Sequence, residues 1–110
     1  MYEQSKYFMD FCVAGFTYWD GIFVVQKIKV GDKVELQPEP ENPFDPNAVA
    51  LYYQGSKIGF IPRRCNAQIS QLLNFGQSPF EAFISQIDPE EHPERQVRIV
   101  IRVKDARTKA

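Results

Sequence analysis

The segment Pro38-Glu39-Pro40-Glu41-Asn42-Pro43-Phe44-Asp45-Pro46-Asn47 gathers the residues with the most chemistry to offer. Four of these ten residues are proline, which excludes a regular ladder and stiffens the backbone by fixing φ. Side chains on a stiff loop have little entropy left to lose on binding. Phe44 offers a flat apolar face, and Asp45 beside it a carboxylate. A carboxylate repels phosphate and accepts hydrogen bonds from hydroxyl groups, so one residue can attract one ligand and reject another. Asp45 before Pro46-Asn47 and Asn42 before Pro43 are also ordinary turn formers.

Basic groups stand nearby in sequence. Arg63 and Arg64 follow Pro62, and a guanidinium grips phosphate with a bidentate fork, although a solvated charged turn is the plain alternative. Lys57 is a weaker candidate for the same patch. Arg98, Arg102 and Lys104 line one face of the last apolar segment, where a solvated outer face is the default. Catalytic and metal chemistry find no support. His92 sits in an acidic loop without a partner motif, and Cys12 and Cys65 are far apart. Glu90, Glu91 and Glu94 suit loop solvation. No phosphate-binding glycine loop, zinc spacing or Ser/His/Asp order is present, so neither an enzyme, a metal nor a cofactor is expected.

The elements that must carry these groups are mostly strands. Residues 1–6 read as a loose N-terminal segment, 7–104 as a single domain, and 105–110 as a loose tail. Tyr7 to Tyr18 reads as one long strand with a bend at Gly15, followed by a turn at Asp20-Gly21. Ile22, Val25 and Ile28 recur every three residues, which suggests a short helical turn. Lys33–Gln37 alternates as a strand, and Ala48–Tyr53 with Lys57–Pro62 forms a hairpin around Gln54-Gly55-Ser56. Cys65, Ile69, Leu72 and Leu73 fall on one face of a helix over about Arg64 to Phe75 that stops near Gly76. Phe80–Ile87 and the strictly alternating Gln96–Lys104 complete the strands. The expected fold is mainly β: a small six-stranded barrel, OB-like or SH3-like, with one clear α-helix and a second short helical turn.

With 110 residues, 44% hydrophobic and 25% charged, the chain suits one globular domain. Nine Phe, five Tyr and one Trp can fill a small core or line a stacking surface. A net charge of −1 argues against coating duplex DNA, which depends on many neutralised phosphates. No signal-peptide pattern or membrane-length apolar run occurs, so a cytoplasmic protein with reduced, buried thiols is expected.

Three blocks then resemble the HIRAN domain: Val13-Ala14-Gly15-Phe16-Thr17-Tyr18-Trp19-Asp20-Gly21, Glu39 to Ala50, and Lys57-Ile58-Gly59-Phe60-Ile61-Pro62-Arg63. With the helix, the resemblance spans roughly residues 10–76, and the middle block is the specific one. It implies an OB-like module, in a free-standing form, that binds the 3′ end of single-stranded DNA, with DNA-processing nucleases or helicases as possible partners. By resemblance, Tyr18 and Phe44 stack on the last bases, Asp45 meets the terminal 3′ hydroxyl, Asn42 lies near the terminal nucleotide, and Arg63 contacts phosphate. Thr17 and Phe60 depart from the pattern, standing where a well-understood relative has Arg and a polar, potentially cationic residue. A second class of function fits the same residues: an aromatic-lined groove on a small barrel can also hold an extended or proline-rich peptide.

Overall fold

The computed structural model describes residues 5–19, 21–92 and 95–104. Strands β1 (Ser5–Cys12), β2 (Lys33–Pro38), β3 (Val49–Tyr53), β4 (Ser56–Phe60), β5 (Phe80–Ile87) and β6 (Val97–Lys104) form one sheet. Its order is β1-β6-β5-β2-β3-β4, with every neighbour antiparallel. Helix α1 (Gly21–Val24) is a single turn and α2 (Ala67–Asn74) is longer, while 3₁₀ turns cover Phe16–Tyr18 and Arg63–Cys65. The fold is thus mainly β, as expected. Residues 1–4 and the tail 105–110 lie outside the described residues, as do Asp20, Pro93 and Glu94. The first strand begins at Ser5, inside the segment expected to be loose.

Alternation builds the core. Phe80, Ala82 and Ile84 of β5 and Val97, Ile99 and Ile101 of β6 turn inward, where they meet Phe11, Val34, Leu51, Ile58 and Ile69. β3 is buried almost throughout, because it lies between β2 and β4 with both faces covered.

Four expectations need correction. The strand expected over Tyr7 to Tyr18 ends at Cys12: Gly15 adopts the left-handed conformation (φ 73°) and turns the chain into the 3₁₀ turn. For the same reason no closed barrel forms. β1 and β4 stand at opposite ends of the sheet, and only Ala14 reaches across before the chain turns away. Its N–H donates to Phe60 O, and the Phe60 N–H donates to Ala14 O, each at 2.9 Å.

The third correction concerns α2. It begins at Ala67, after a 3₁₀ turn that shifts the helical phase. The buried stripe therefore runs through Asn66, Ile69, Ser70 and Leu73, while Leu72 is 39% exposed. The fourth concerns the cysteines. Cys12 and Cys65 are both free and only half buried. Burial still pushes the Cys65 thiol upward, against the opposing charge of Arg64.

Gly59 decides how closely the two ends of the sheet approach. Its φ is 149°, and a Cβ there would lie 2.5 Å from Ala14 O and 2.5 Å from Val13 Cγ1. Only glycine lets the Ala14 segment dock beside β4 and hold the Phe60 bridge.

Candidate functional site

The proline-rich loop joins β2 to β3 and is organised by its own polar side chains. The Glu39 N–H donates to Ala48 O at 2.9 Å, closing the base. Asn42 Oδ1 accepts from the backbone N–H of Phe44 at 2.8 Å and of Asp45 at 3.1 Å, while its Nδ2 donates to Glu39 Oε1 at 3.0 Å. Asp45 Oδ1 accepts from the Asn47 N–H at 2.9 Å. With the turn tied at every corner, the Phe44 ring is pushed into solvent and is 83% exposed. The carboxylates and amides of the motif are the frame, and Phe44 is what the frame presents.

Behind Phe44 lies a cavity of about 240 Å³ lined by Asn42, Asp45, Ala48, Phe60, Arg63 and Asn66, with Ala14 and Ile61 on its walls. The Pro62 backbone leads into the 3₁₀ turn that delivers Arg63 to the rim. Arg63 Nη2 donates to Phe44 O at 2.9 Å, and its Nε lies 3.5 Å from Asp45 Oδ2. The Arg63 side chain is largely exposed, so this ion pair contributes little to stability but sets where the guanidinium rests. Arg64 is exposed and, among the described residues, has no hydrogen-bond or ion-pair partner.

Asp45 is itself held from the α2 side. Asn66, buried at the start of that helix, donates Nδ2 to Asp45 Oδ2 at 2.9 Å. That bond is the main cause holding the Asp45 carboxyl below the ordinary carboxylate range; burial opposes it, while the Asn47 N–H and Arg63 act with it. Asp45 is therefore a fixed, ionised acceptor at the cavity wall.

A second cluster flanks the cavity. Lys57 Nζ lies 4.0 Å from the centre of the Trp19 ring and 4.5 Å from that of Phe60, and donates to Glu39 Oε2 at 2.8 Å. Trp19 meets Phe60 edge-on at 5.9 Å. Burial raises the Glu39 carboxyl, but the Lys57 and Asn42 hydrogen bonds outweigh it and the net shift is downward. This stack pins the end of the 3₁₀ turn carrying Tyr18 to β4 and to the base of the proline loop.

The structure therefore brings Phe44, Asp45, Asn42 and Arg63 to one cavity, with Arg64 next in sequence. Tyr18 is 84% exposed but lies outside the cavity lining, one 3₁₀ turn beyond Ala14. Lys57 is withdrawn from the expected phosphate patch by Glu39 and two rings. Asn42 acts as the brace of the loop, with its acceptor filled by two N–H groups. Arg98 pairs with Asp10, and Arg102 donates to Ser5, so the two arginines of the stripe on β6 are engaged with β1.

Sequence reasoning missed Asn66, Glu39 and Trp19 as parts of the site. Asn66 was hidden because the helix was expected to begin at about Arg64, which put it inside the helix and not at the cap position that the start at Ala67 gives it, and its partner across 21 residues could not be read from sequence. No cluster of His, Cys, Asp and Glu suited to a metal occurs among the described residues, and none of their helices is long and apolar enough to cross a membrane.

Comparison with known proteins agrees with this fold. The HIRAN domain family model matches residues 6–104. A crystal structure of a Lactobacillus plantarum protein superposes with a TM-score of 0.75 at 25% identity, covering 93% of this chain and 98% of that one. The HIRAN domain of human HLTF superposes with a TM-score of 0.62, covering 92% of this chain and 81% of that one; at 18% identity this is a likeness of fold. No curated protein matches the sequence.

Proposed function

The chain belongs to the HIRAN domain family, and on that premise we propose that it is a non-enzymatic module gripping the 3′ end of single-stranded DNA. The observation that carries this reading is Phe44, 83% exposed at the rim of a cavity whose wall holds the Asp45 carboxylate and whose edge holds the Arg63 guanidinium. An exposed ring on a braced loop is a base-stacking platform, and stacking is tolerant of sequence because every base has a π-face. The terminal 3′ hydroxyl donates to Asp45, and a strand continuing through phosphate is repelled there. The exposed guanidinium of Arg63, with Arg64, meets the last phosphates. Tyr18 stacks on a base further along the strand, outside the cavity.

The module works in the cytoplasm, where its two free thiols remain reduced, and it presents strand ends to DNA-processing nucleases or helicases. Fluorescence anisotropy with linear and circular single strands of equal length tests the reading. Binding of the linear form, with the circle much weaker, is expected. Equal binding of both overturns end recognition, and binding of neither in favour of a proline-rich peptide transfers the site to the peptide-module reading.

A further inference from the structure

Asn66 stands at the position that caps α2, where an Asn side chain ordinarily accepts from the first free N–H groups of the helix. It makes no such cap here, although its backbone O accepts from the Ser70 N–H at 2.9 Å and starts the helix. Its side chain is instead 2% exposed and directed across the cavity wall to Asp45. We propose that Asn66 is the positioning residue of the site: it clamps Oδ2 of Asp45 so that the remaining acceptor of the carboxylate, on Oδ1, is reserved for the ligand hydroxyl.

An ionised carboxylate has about four acceptor positions, two on each oxygen. On Oδ2, one is filled by Asn66 Nδ2 and the other faces Arg63 Nε. On Oδ1, the Asn47 N–H fills one and leaves one. Among the described residues, Arg63 is the one charged group besides Asp45 in the cavity lining; Ala14, Ala48, Phe60 and Ile61 contribute no charge, and the Glu39–Lys57 pair sits at the base of the loop, joined to Asn42 through Glu39. Arg63 is largely exposed, 3.5 Å from Asp45 and otherwise held by a solvent-facing bond to Phe44 O, so phosphate can draw it away. Asn66 is buried, has no such freedom, and must hold the carboxylate while Arg63 is engaged elsewhere. It also keeps the charge on Asp45, because the bond it donates favours the ionised form.

The proposal rests on the end-recognition reading for its ligand, but the clamp can be tested without one. In the ligand-free wild type, the Asn66 side-chain amide protons and the Asp45 carboxyl carbon are followed by NMR through acid pH. The two are expected to titrate with one midpoint, below the ordinary aspartate range; an amide that ignores the protonation of Asp45 overturns the clamp. In Asn66→Ala and Asn66→Ser, the Asp45 midpoint is expected to rise, and the preference for a 3′-hydroxyl over a 3′-phosphate oligonucleotide to fall about tenfold, the worth of one hydrogen bond to a charged group. Affinity for the 3′-phosphate form should change little, which a general loss of structure would not produce. An unchanged preference in folded variants overturns the proposal. A coupled titration without any end preference in the wild type overturns end recognition and leaves the clamp standing.

Discussion

At the scale of single residues, the site divides into groups that present themselves and groups that hold others. Phe44 and Tyr18 are exposed and free of core duties, so replacing either by Ala should leave the fold intact by circular dichroism. Each loss should weaken oligonucleotide binding by about 1–3 kcal/mol, the range for one base stacked on an aromatic ring. Because Tyr18 lies off the cavity, its effect should vanish with oligonucleotides too short to reach it, whereas that of Phe44 should persist. The holding groups are visible in the acid response. Tyr7 and Arg98 lower Asp10, Tyr53 lowers Asp32, the Lys57 and Asn42 bonds outweigh burial to lower Glu39, and Asn66 lowers Asp45. A carboxylate whose folded pKa is depressed stabilises the fold above its unfolded value and loses that contribution as pH falls through the folded one. Thermal stability should therefore be nearly level above about pH 5 and decline below about pH 4; a melting temperature that stays unchanged as the pH is lowered well below that point would contradict these assignments. Phe44 and Asp45 were legible in the sequence because they sit inside a motif whose prolines announce a stiff loop. Asn42 was legible as a turn former, yet whether it meets ligand or backbone depends on where two N–H groups point, and residue type does not say.

At the scale of elements, the decisive contact is the bridge between Ala14 and Phe60, which Gly59 permits. Gly59→Ala should destabilise by more than about 1 kcal/mol in urea unfolding, since the new Cβ meets backbone oxygen in a conformation that disfavours side chains. Gly31→Ala is the control: its φ is also positive, at 97°, but a Cβ there meets nothing within 4 Å. The Gly59 variant should lose more stability than the Gly31 variant, and also oligonucleotide affinity, because the bridge carries one wall of the cavity. Equal costs would mean that the close approach is incidental. The strands were readable wherever one face is buried, as in β6, since alternation records burial directly. The segment from Val13 to Tyr18 was not, because its apolar residues pack through a left-handed glycine and a 3₁₀ turn that leave no period of two. The phase of α2 was misread for a related reason: a short 3₁₀ turn before Ala67 moves Cys65 off the helix, and the pattern Cys65-Ile69-Leu72-Leu73 ignores that step.

At the scale of the whole molecule, a net charge of −1 sets the kind of nucleic-acid contact available. At the site Lys57 is held by Glu39 and two rings with little exposure, whereas Arg63, though bonded to Phe44 O and near Asp45, is largely exposed and Arg64 stands beside it. Two phosphate contacts on a single strand give a slope of about −1.4 for log affinity against log salt, so affinity should depend on salt only weakly. A much steeper slope would mean that a basic surface elsewhere carries the binding. The mainly β, six-stranded fold followed from strands and tight turns in the sequence, whereas barrel closure did not, since one residue of bridge in place of a ladder is decided by a single turn. On the proposed reading, affinity rests on stacking and few phosphates, and discrimination comes from the end of the strand. The most direct test is an anisotropy titration, at one fixed salt concentration, of two oligonucleotides that differ only in a 3′ hydroxyl or a 3′ phosphate, against the wild type and Asp45→Ala. The hydroxyl form should bind the wild type about tenfold or more tightly, matching a hydrogen bond of roughly 1.5–3 kcal/mol to a charged acceptor, and Asp45→Ala should bind both forms alike. Equal binding of the two forms by the wild type would contradict the account.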